Sequence, residues 1–463
     1  MKNTATSTYS PNKETYMIMN NMKVELQIKD NPFQLPLEAL FTMAARVNKK
    51  RAFLFVSNLL GKHVPVHPIV PLFTSGLLAL HYFQEKEGKS MDLTDVVEDY
   101  LSNEPERLHQ GYMALRERLK SYETDAIIIG FAETATALGH GVYDGMEGSS
   151  YVHTTREEIP DVEPVLTFEE EHSHAVDQRC LANEEFLATN QPVILVDDEI
   201  STGKTALNII DDIHTKHPRK DYTILSILDW RTEEHREAFS RYAAEMEINI
   251  HCYSLLSGVM SFEGESLSTS SYDYEIPNDT SEQVKVNWID LSSWFRSEDC
   301  LSSEQGNSSV EPGYIHETGR FGLAAQERDS IEAACQSAGD QLKLTRTEGS
   351  ALCLGTGELM YIPMKIASMM GEDVHYHSST RSPIHPIDKE GYAIRNGCCY
   401  ANPEDSRVLH YLYNIPSQQY EELYFFIEKP VENRAIQPIV ELCKNKGISN
   451  LNVVSFSKGS VDQ

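Results

Sequence analysis

One short stretch, Val193-Ile194-Leu195-Val196-Asp197-Asp198-Glu199-Ile200-Ser201-Thr202-Gly203-Lys204-Thr205, limits what this chain can fold into more than any other. Its four leading apolar residues read as a buried strand. Two adjacent carboxylates, Asp197 and Asp198, follow at the carboxyl end. A hydroxyl-rich turn containing Gly203 comes next, and Ala206-Leu207-Asn208-Ile209-Ile210 continues as a helix. Strand, turn and helix in that order form the unit of an open parallel sheet, which places ligands at the carboxyl ends of its strands. The chemistry suits a sugar phosphate. Asp197 and Asp198 can accept hydrogen bonds from a pair of ribose hydroxyls. Ser201, Thr202, Thr205 and the N–H groups of the turn can cradle a phosphate at the positive end of the helix.

The same residues include half of a nucleotide-triphosphate P-loop. That motif needs a glycine five residues before its Gly-Lys pair, and this chain has Asp198 there, whose charge would repel phosphates. The stretch instead resembles the 5-phosphoribosyl-1-pyrophosphate (PRPP) signature of type I phosphoribosyltransferases: a hydrophobic strand, two acids, two residues, then two hydroxyls and glycine. It departs from that pattern at Glu199, where the family usually has an aliphatic residue. The resemblance implies that Asp197 and Asp198 hold the ribose and that Ser201, Thr202, Gly203, Lys204 and Thr205 hold the 5-phosphate. An acidic strand-to-helix turn without a ligand would leave two acids and three hydroxyls without a purpose.

The chain's 463 residues allow two or three domains, at the usual ~100–200 residues each. No apolar run approaches the ~20 residues of a membrane helix. The polar first thirty residues lack a signal peptide's apolar segment, so a cytoplasmic location is expected, with no membrane partner. A net charge of −30 argues against a nucleic-acid surface. Eight scattered cysteines, with no CxxC pair and no histidines at zinc spacing, are expected to be small buried hydrophobes. The local exception to the acidity is Arg46-Val47-Asn48-Lys49-Lys50-Arg51, which suggests a small anionic ligand nearby.

Upstream of the signature, Asp125 to Gly130 reads as a buried strand and Phe131 to Gly139 as a turn into a helix of small residues, which lets the helix approach a ligand closely. In the family, the loop at this place in the order contacts pyrophosphate, and Gly130, Phe131, Ala132, Glu133 and Thr134 resemble it. Ser150 to Glu158 is a short strand ending at Arg156, whose guanidinium can clamp a diphosphate. The competing reading is a surface ion pair with Glu157 or Glu158. Phe168 to Ala175 has no periodicity and reads as a loop. Its His172 and His174 suit metal binding, proton transfer or a hydrogen bond to pyrophosphate, and the resemblance makes this segment a mobile flap. Tyr222 to Leu228 and Ile248 to Leu256 read as two further strands. The order predicts a doubly wound parallel α/β domain over residues 30–275, with residues 1–29 as a flexible tail. The family's separate hood, which covers the acceptor, maps to the amino-terminal part, with Arg46, Asn48, Arg51, Lys62 and His63 as candidates.

Residues 276–311 are rich in Ser, Glu and Asp and read as a linker, with Val284 to Ile289 as one strand inside it. A second α/β domain is expected over 312–463, ending in a strand at Leu423–Ile427, a helix at Pro430–Lys446 and a strand at Leu451–Phe456. Part of it echoes the first. Sliding Ala126–Arg156 forward by 225 positions lays it without a gap on Ala351–Arg381, with seven of 31 residues identical. Gly130 meets Gly355, Glu133 meets Glu358, Tyr151 meets Tyr376, and Thr155-Arg156 meets Thr380-Arg381. Ser379-Thr380-Arg381-Ser382-Pro383 carries the Thr-Arg-Ser-Pro motif of the TRSP domain, which follows a phosphoribosyltransferase in bacterial tellurite-resistance and stress-response gene clusters. Gly319-Arg320-Phe321-Gly322 and Leu354 to Glu358 resemble further pieces of it. Arg320, Gly355, Glu358, Thr380 and Arg381 are the candidates for a ligand site there.

Together the two resemblances imply an Mg²⁺-dependent phosphoribosyltransferase that joins PRPP to a base-like acceptor and makes a nucleotide-like metabolite. Mg²⁺ would be held mainly by substrate oxygens and water. The second domain would act on the product or sense it. The alternative is a non-catalytic regulator of a stress response that binds PRPP or a nucleotide. The acceptor and the oligomeric state, a homodimer included, stay open at this point.

Overall fold

The computed structural model describes residues 13–19, 21–46, 51–89, 92–159, 162–168, 178–265, 283–304 and 307–457, with only the backbone at 299–304 and 307–312. The chain opens with an antiparallel hairpin, β1 (Lys13–Met19) and β2 (Met22–Asp30). Residues 13–19 and 22–29 are therefore strands rather than part of the expected flexible tail. The polar residues there alternate with the buried Met22, Val24 and Leu26, the period of two that marks a half-buried strand. A single helical turn, α1 (Leu37–Leu40), leads into the antiparallel pair β3 (Phe41–Ala45) and β4 (Phe53–Ser57). Helices α2 (Ile69–Glu87), α3 (Thr94–Tyr100) and α4 (Pro105–Leu119) follow. α2 is apolar nearly all round from Ile69 to Phe83, and it is buried accordingly.

The chain then alternates. β5 (Ile127–Gly130), α5 (Ala135–Gly145) and β6 (Ser150–His153) come first. A small hairpin of β7 (Leu166–Phe168) and β8 (Gln178–Cys180) and the short α6 (Glu184–Leu187) intervene. β9 (Val193–Ile200), α7 (Lys204–Lys216), β10 (Asp221–Asp229), α8 (Glu233–Glu245) and β11 (Asn249–Gly264) complete the domain. The sheet order is β1-β2-β11-β10-β9-β5-β6, parallel from β11 to β6. The chain steps outward one way from β5 to β6 and the other way from β9 through β10 to β11. Right-handed crossovers then set α5 on one face and α7 and α8 on the other. The reversal falls between β5 and β9, and that crevice is where such a sheet holds a ligand.

The second sheet begins earlier than composition suggests. β12 (Lys285–Asp290), expected as a strand inside a linker, is its edge strand. A hairpin of β13 (Ser297–Glu304) and β14 (Asn307–Ile315) follows, so Pro312 lies within a strand rather than at a domain start. Then come α9 (Arg328–Lys343), β15 (Ala351–Gly355), α10 (Tyr361–Ala367) and β16 (Val374–Ser378). The hairpin of β17 (Gly397–Asn402) and β18 (Asp405–Tyr413) precedes β19 (Glu422–Ile427), α11 (Gln437–Lys446) and β20 (Asn450–Ser455). The sheet is wholly parallel, ordered β12-β20-β19-β15-β16. Among the described cysteines, Cys180, Cys335, Cys353 and Cys443 are buried. Cys399 is exposed and Cys252 and Cys398 are half-buried, so not all are core residues.

The echo between the domains extends to three dimensions. β16-β15-β19-β20 repeats β6-β5-β9-β10 in order and direction. Thr154 N–H donates to Gly130 O at 2.9 Å, and Ser379 N–H donates to Gly355 O at 3.1 Å. The two cores also embrace. Val66 of the first domain bridges to Tyr376 of the second, and Leu323 of the second bridges to Tyr151 of the first. Each bridge lies across an outer strand, β16 or β6, and covers an edge that would otherwise invite another chain. Gly61 (φ +66°) and Gly319 (φ +85°) make these straps possible, because a Cβ on either would come within 2.6 Å of the ring of Tyr376 or Tyr151. Between the straps, His140 of α5 stacks on Tyr361 of α10 with ring centroids 3.7 Å apart. Lys365 Nζ reaches Asp144 Oδ2 at 2.9 Å.

Candidate functional site

β9 does not stop at Val196 but runs through Asp197, Asp198 and Glu199, carrying all three acids to the carboxyl edge of the sheet. Asp198 N–H donates to Asp197 Oδ1 at 2.9 Å, which fixes the neighbouring carboxylates relative to each other. Burial, and then the Glu199 charge, push the Asp198 carboxyl up from its ordinary value. Glu199 itself is paired. Its Oε1 lies 2.5 Å from Arg51 Nη2, and the Arg51 guanidinium sits 4.9 Å from the centre of the Phe53 ring. That pair accounts for an acid where an aliphatic residue is usual: the hood supplies its counter-charge.

The turn after β9 closes on Gly203 in the left-handed region (φ +78°), where a Cβ would lie 2.5 Å from the Phe239 ring. α7 starts at Lys204, so Ser201, Thr202 and Thr205 surround a thirteen-residue helix's amino-terminal N–H groups. Phe239 is itself covered by the Arg231 guanidinium at 4.4 Å, and Asp229 holds Arg231 through Oδ2 at 2.8 Å.

Across the crevice, Gly130 to Thr134 forms the turn between β5 and α5. α5 approaches closely because Gly139 faces Gly130, with space for a Cβ only 2.9 Å from the Gly130 Cα. Ala132 N–H donates to Thr154 Oγ1 at 2.8 Å, Thr154 donates to Gln178, and Gln178 Nε2 donates back to Ala132 O at 2.9 Å. The ring of bonds makes the turn rigid. Glu133 points into the buried space, with Lys62 Nζ at 2.6 Å and Arg156 Nη1 at 3.6 Å. Burial alone would push its carboxyl up, but Lys62 and Arg156 hold it down at about 2.

Arg156 therefore turns inward to the Glu133 side. Glu157 pairs with Lys429 at 2.8 Å, and Glu158 lies 4.0 Å from Arg179. Of the hood candidates, Arg51 and Lys62 reach the site, through Glu199 and Glu133. Arg46 lies on the second domain through a bridge to Ile384. His63 packs near Tyr413 with neither ring nitrogen bonded, and burial pulls its pKa down to about 3. Arg46 and His63 thus lie against the second domain. Asn48, His172 and His174 lie outside the described residues. β7 and β8 pair on either side of the histidine segment.

The second-domain candidates separate. Arg320 is fully buried and bidentate to Glu428 at 2.8 and 3.1 Å. Glu358 accepts from Thr155 Oγ1 at 2.6 Å and from Arg156 N–H at 2.8 Å. Glu358 thus braces the two domains, while Arg320 is tied to Glu428 within the second and keeps a buried Nε without a partner. Thr380 pairs through its backbone with Tyr411. Gly355 lies under the turn that follows β15, where a Cβ would meet Leu359 O at 2.6 Å. Arg381 is half-buried and makes no hydrogen bond or ion pair among the described residues. Sequence reasoning did not single out Gln178 or His410, which complete the two turns. Continuing the echo past Arg156, with an allowance for unequal hairpins, would have matched them.

Residues 40–259 match the family described as "Phosphoribosyl transferase", and residues 317–443 match "TRSP domain C terminus to PRTase_2". No curated protein matches the sequence. Solved structures with some similarity include the adenine phosphoribosyltransferase (APRTase) of Giardia lamblia with 9-deazaadenine. It is 17% identical, covering 35% of this chain and 84% of that one, with a TM-score of 0.25. The Trypanosoma brucei adenine enzyme with AMP, pyrophosphate and ribose-5-phosphate is 10% identical, covering 50% and 82%, with a TM-score of 0.28. The orotate phosphoribosyltransferase of Mycobacterium tuberculosis is 14% identical, covering 40% and 88%, with a TM-score of 0.19. No helix among the described residues is long and apolar enough to cross a membrane.

Proposed function

From a chain that belongs to the phosphoribosyltransferases and carries the TRSP domain behind the transferase domain, we propose a transfer of the PRPP ribosyl phosphate to a base-like nitrogen acceptor, with release of pyrophosphate. One observation carries the reading. Asp197 and Asp198 lie in the carboxyl half of β9, which ends at Ile200 before the Gly203 turn and the start of α7, beside the point where the sheet order reverses.

Asp197 and Asp198 accept hydrogen bonds from the two ribose hydroxyls, and their charge favours the cationic sugar that develops as pyrophosphate departs. Ser201 to Thr205 take the 5-phosphate. The turn from Gly130 to Thr134 receives pyrophosphate, for which Lys62 and Arg156 exchange part of their hold on Glu133. The segment between β7 and β8 excludes water, so that the acceptor nitrogen attacks instead.

Asp197 and Asp198 supply hard oxygen donors of the kind Mg²⁺ takes. No group of three or more His, Cys, Asp or Glu side chains able to hold a metal occurs among the described residues. PRPP oxygens and water would therefore supply most of its ligands, and Mg²⁺ would offset the charge of the leaving pyrophosphate.

The test is calorimetric titration with PRPP and Mg²⁺ of the native chain and of Asp197→Asn/Asp198→Asn. Binding by the native chain alone, followed by base-dependent pyrophosphate release, is the expected result. Binding without release under any base would favour a regulator. No binding by a folded native chain would refute both.

A further inference from the structure

We propose that the second domain binds a small phosphate-type oxyanion of its own, in the turn after β15, through His410 and the arginine of its Thr-Arg-Ser-Pro motif. Choosing phosphate rests on reading the matching first-domain turn as a pyrophosphate site. The site itself rests on polar groups left without described partners.

The two turns are built alike. Where Ala132 N–H donates to Thr154 Oγ1, Gly357 N–H donates to Ser379 Oγ at 3.1 Å. Where Thr154 passes its proton to Gln178, Ser379 Oγ lies 2.9 Å from His410 Nδ1. Thr155 pairs with Arg179 as Thr380 pairs with Tyr411, so Gln178 and His410 occupy matching places on matching hairpins. The relays end differently. Gln178 returns its amide proton to Ala132 O, whereas His410 Nε2 has no partner although the side chain is only 1% exposed.

Ser379 Oγ accepts from Gly357 and meets His410 Nδ1, so Nδ1 has a partner in either tautomer and Nε2 is the ring nitrogen left without one. A buried ring nitrogen is thereby left open, a cost that folding rarely accepts without a partner, and an oxyanion beside it would select the tautomer with its proton on Nε2. Beside it Gly357 (φ +55°) has no side chain, and a Cβ there would stand 3.4 Å from His410 Cε1. Arg381, two residues beyond Ser379, brings a guanidinium free of any described partner, and its charge is felt at His410. Glu133, Glu157 and Lys62 also face His410 electrostatically. Glu133 is neutralised by Lys62 and Arg156, and Glu157 by Lys429. The unpaired charge at the site is thus the positive one.

The sugar half of a PRPP site is missing here. Ile127 lies opposite Val193 and Leu352 opposite Leu423, so Glu428 takes the place of Asp198. Arg320 and the Ile315 N–H occupy Glu428. Lys429-Pro430-Val431-Glu432 follows, with no Ser, Thr or Gly to cradle a 5-phosphate. What persists is an anion turn without its ribose neighbour.

The test is calorimetric titration of the full chain with inorganic phosphate, inorganic pyrophosphate and a nucleoside 5′-monophosphate. Arg381→Ala, at a half-buried unpaired residue, should keep the native near-ultraviolet dichroism and lose one equivalent of anion. His410→Ala should weaken the same event at least tenfold. Asp197→Asn/Asp198→Asn should lose PRPP binding and retain this event, so a native chain that takes up the anion but no PRPP would fault only the first-domain reading. Tighter binding of the mononucleotide would assign a phosphorylated metabolite, and equal or better binding of the inorganic ions a free anion. Unchanged stoichiometry and affinity in folded Arg381→Ala would overturn the proposal.

Discussion

Lys62 shows how one side chain can tie two expectations together. It was legible as a basic hood residue, yet its ammonium lies 2.6 Å from Glu133, on the turn assigned to pyrophosphate. Both side chains are almost fully buried, so the pair is worth more in its loss than in its presence: removing one partner strands a buried charge. Lys62→Met should destabilise the fold by about 3–5 kcal/mol, the cost typical of breaking a buried pair. Lys62→Met/Glu133→Gln should recover much of that loss. Denaturant unfolding of the single and double variants checks this, and equal stability of Lys62→Met and native protein would contradict it. Glu199 teaches the converse. It looked like a flaw in the signature because its partner, Arg51, is 148 positions away.

Among the elements, the straps matter most. The strand-turn-helix pattern around β5, β9 and β10 was readable because buried parallel strands are short apolar runs with turns at fixed places. The straps carry no such signal, since each is a single bridge made to the other domain. Gly61→Ala and Gly319→Ala should each destabilise by about 1–3 kcal/mol, from a non-glycine residue at positive φ and a clash with tyrosine. Because the two glycines hold matching positions, their losses should be similar, as thermal unfolding would show. A strong effect at one and none at the other would mean that only one strap holds the domains together. The amino-terminal hairpin escaped sequence reading because its buried residues alternate with charges, so its average composition is that of a tail.

At the scale of the molecule, the domain interface concentrates neutral histidines. Burial, the main cause, lowers His63, His140 and His153 to about 3 and His377 and His410 to about 4. Their folded pKa values lie below the unfolded value near 6.5, so the unfolded chain takes up these protons first. Their contribution is fully present above pH 6.5 and is lost as pH falls toward 4, by up to about 1.4 kcal/mol per pH unit for each. Unfolding free energy should therefore fall steeply between pH 6.5 and 4.5, before carboxylates alone would account for it. A flat profile over that range, measured by denaturant titration at fixed ionic strength, would show that these rings are not buried as described.

The run from Val193 to Thr205 was enough to anticipate a buried strand, a glycine turn and a helix in a parallel sheet, because each follows from local order along the chain. The 225-residue echo likewise exposed the second core, since duplicated strands keep their spacing. Tertiary structure alone decided which charges are spent. Glu358, a plausible ligand group in the sequence, is held by Thr155 and Arg156 across the interface, and Arg320 by Glu428 within the second domain. The Arg381 guanidinium and His410 Nε2 are left without described partners. Whether a polar group serves a ligand or the fold depends on partners brought together from distant segments, and that pairing is fixed only when the two cores close on each other.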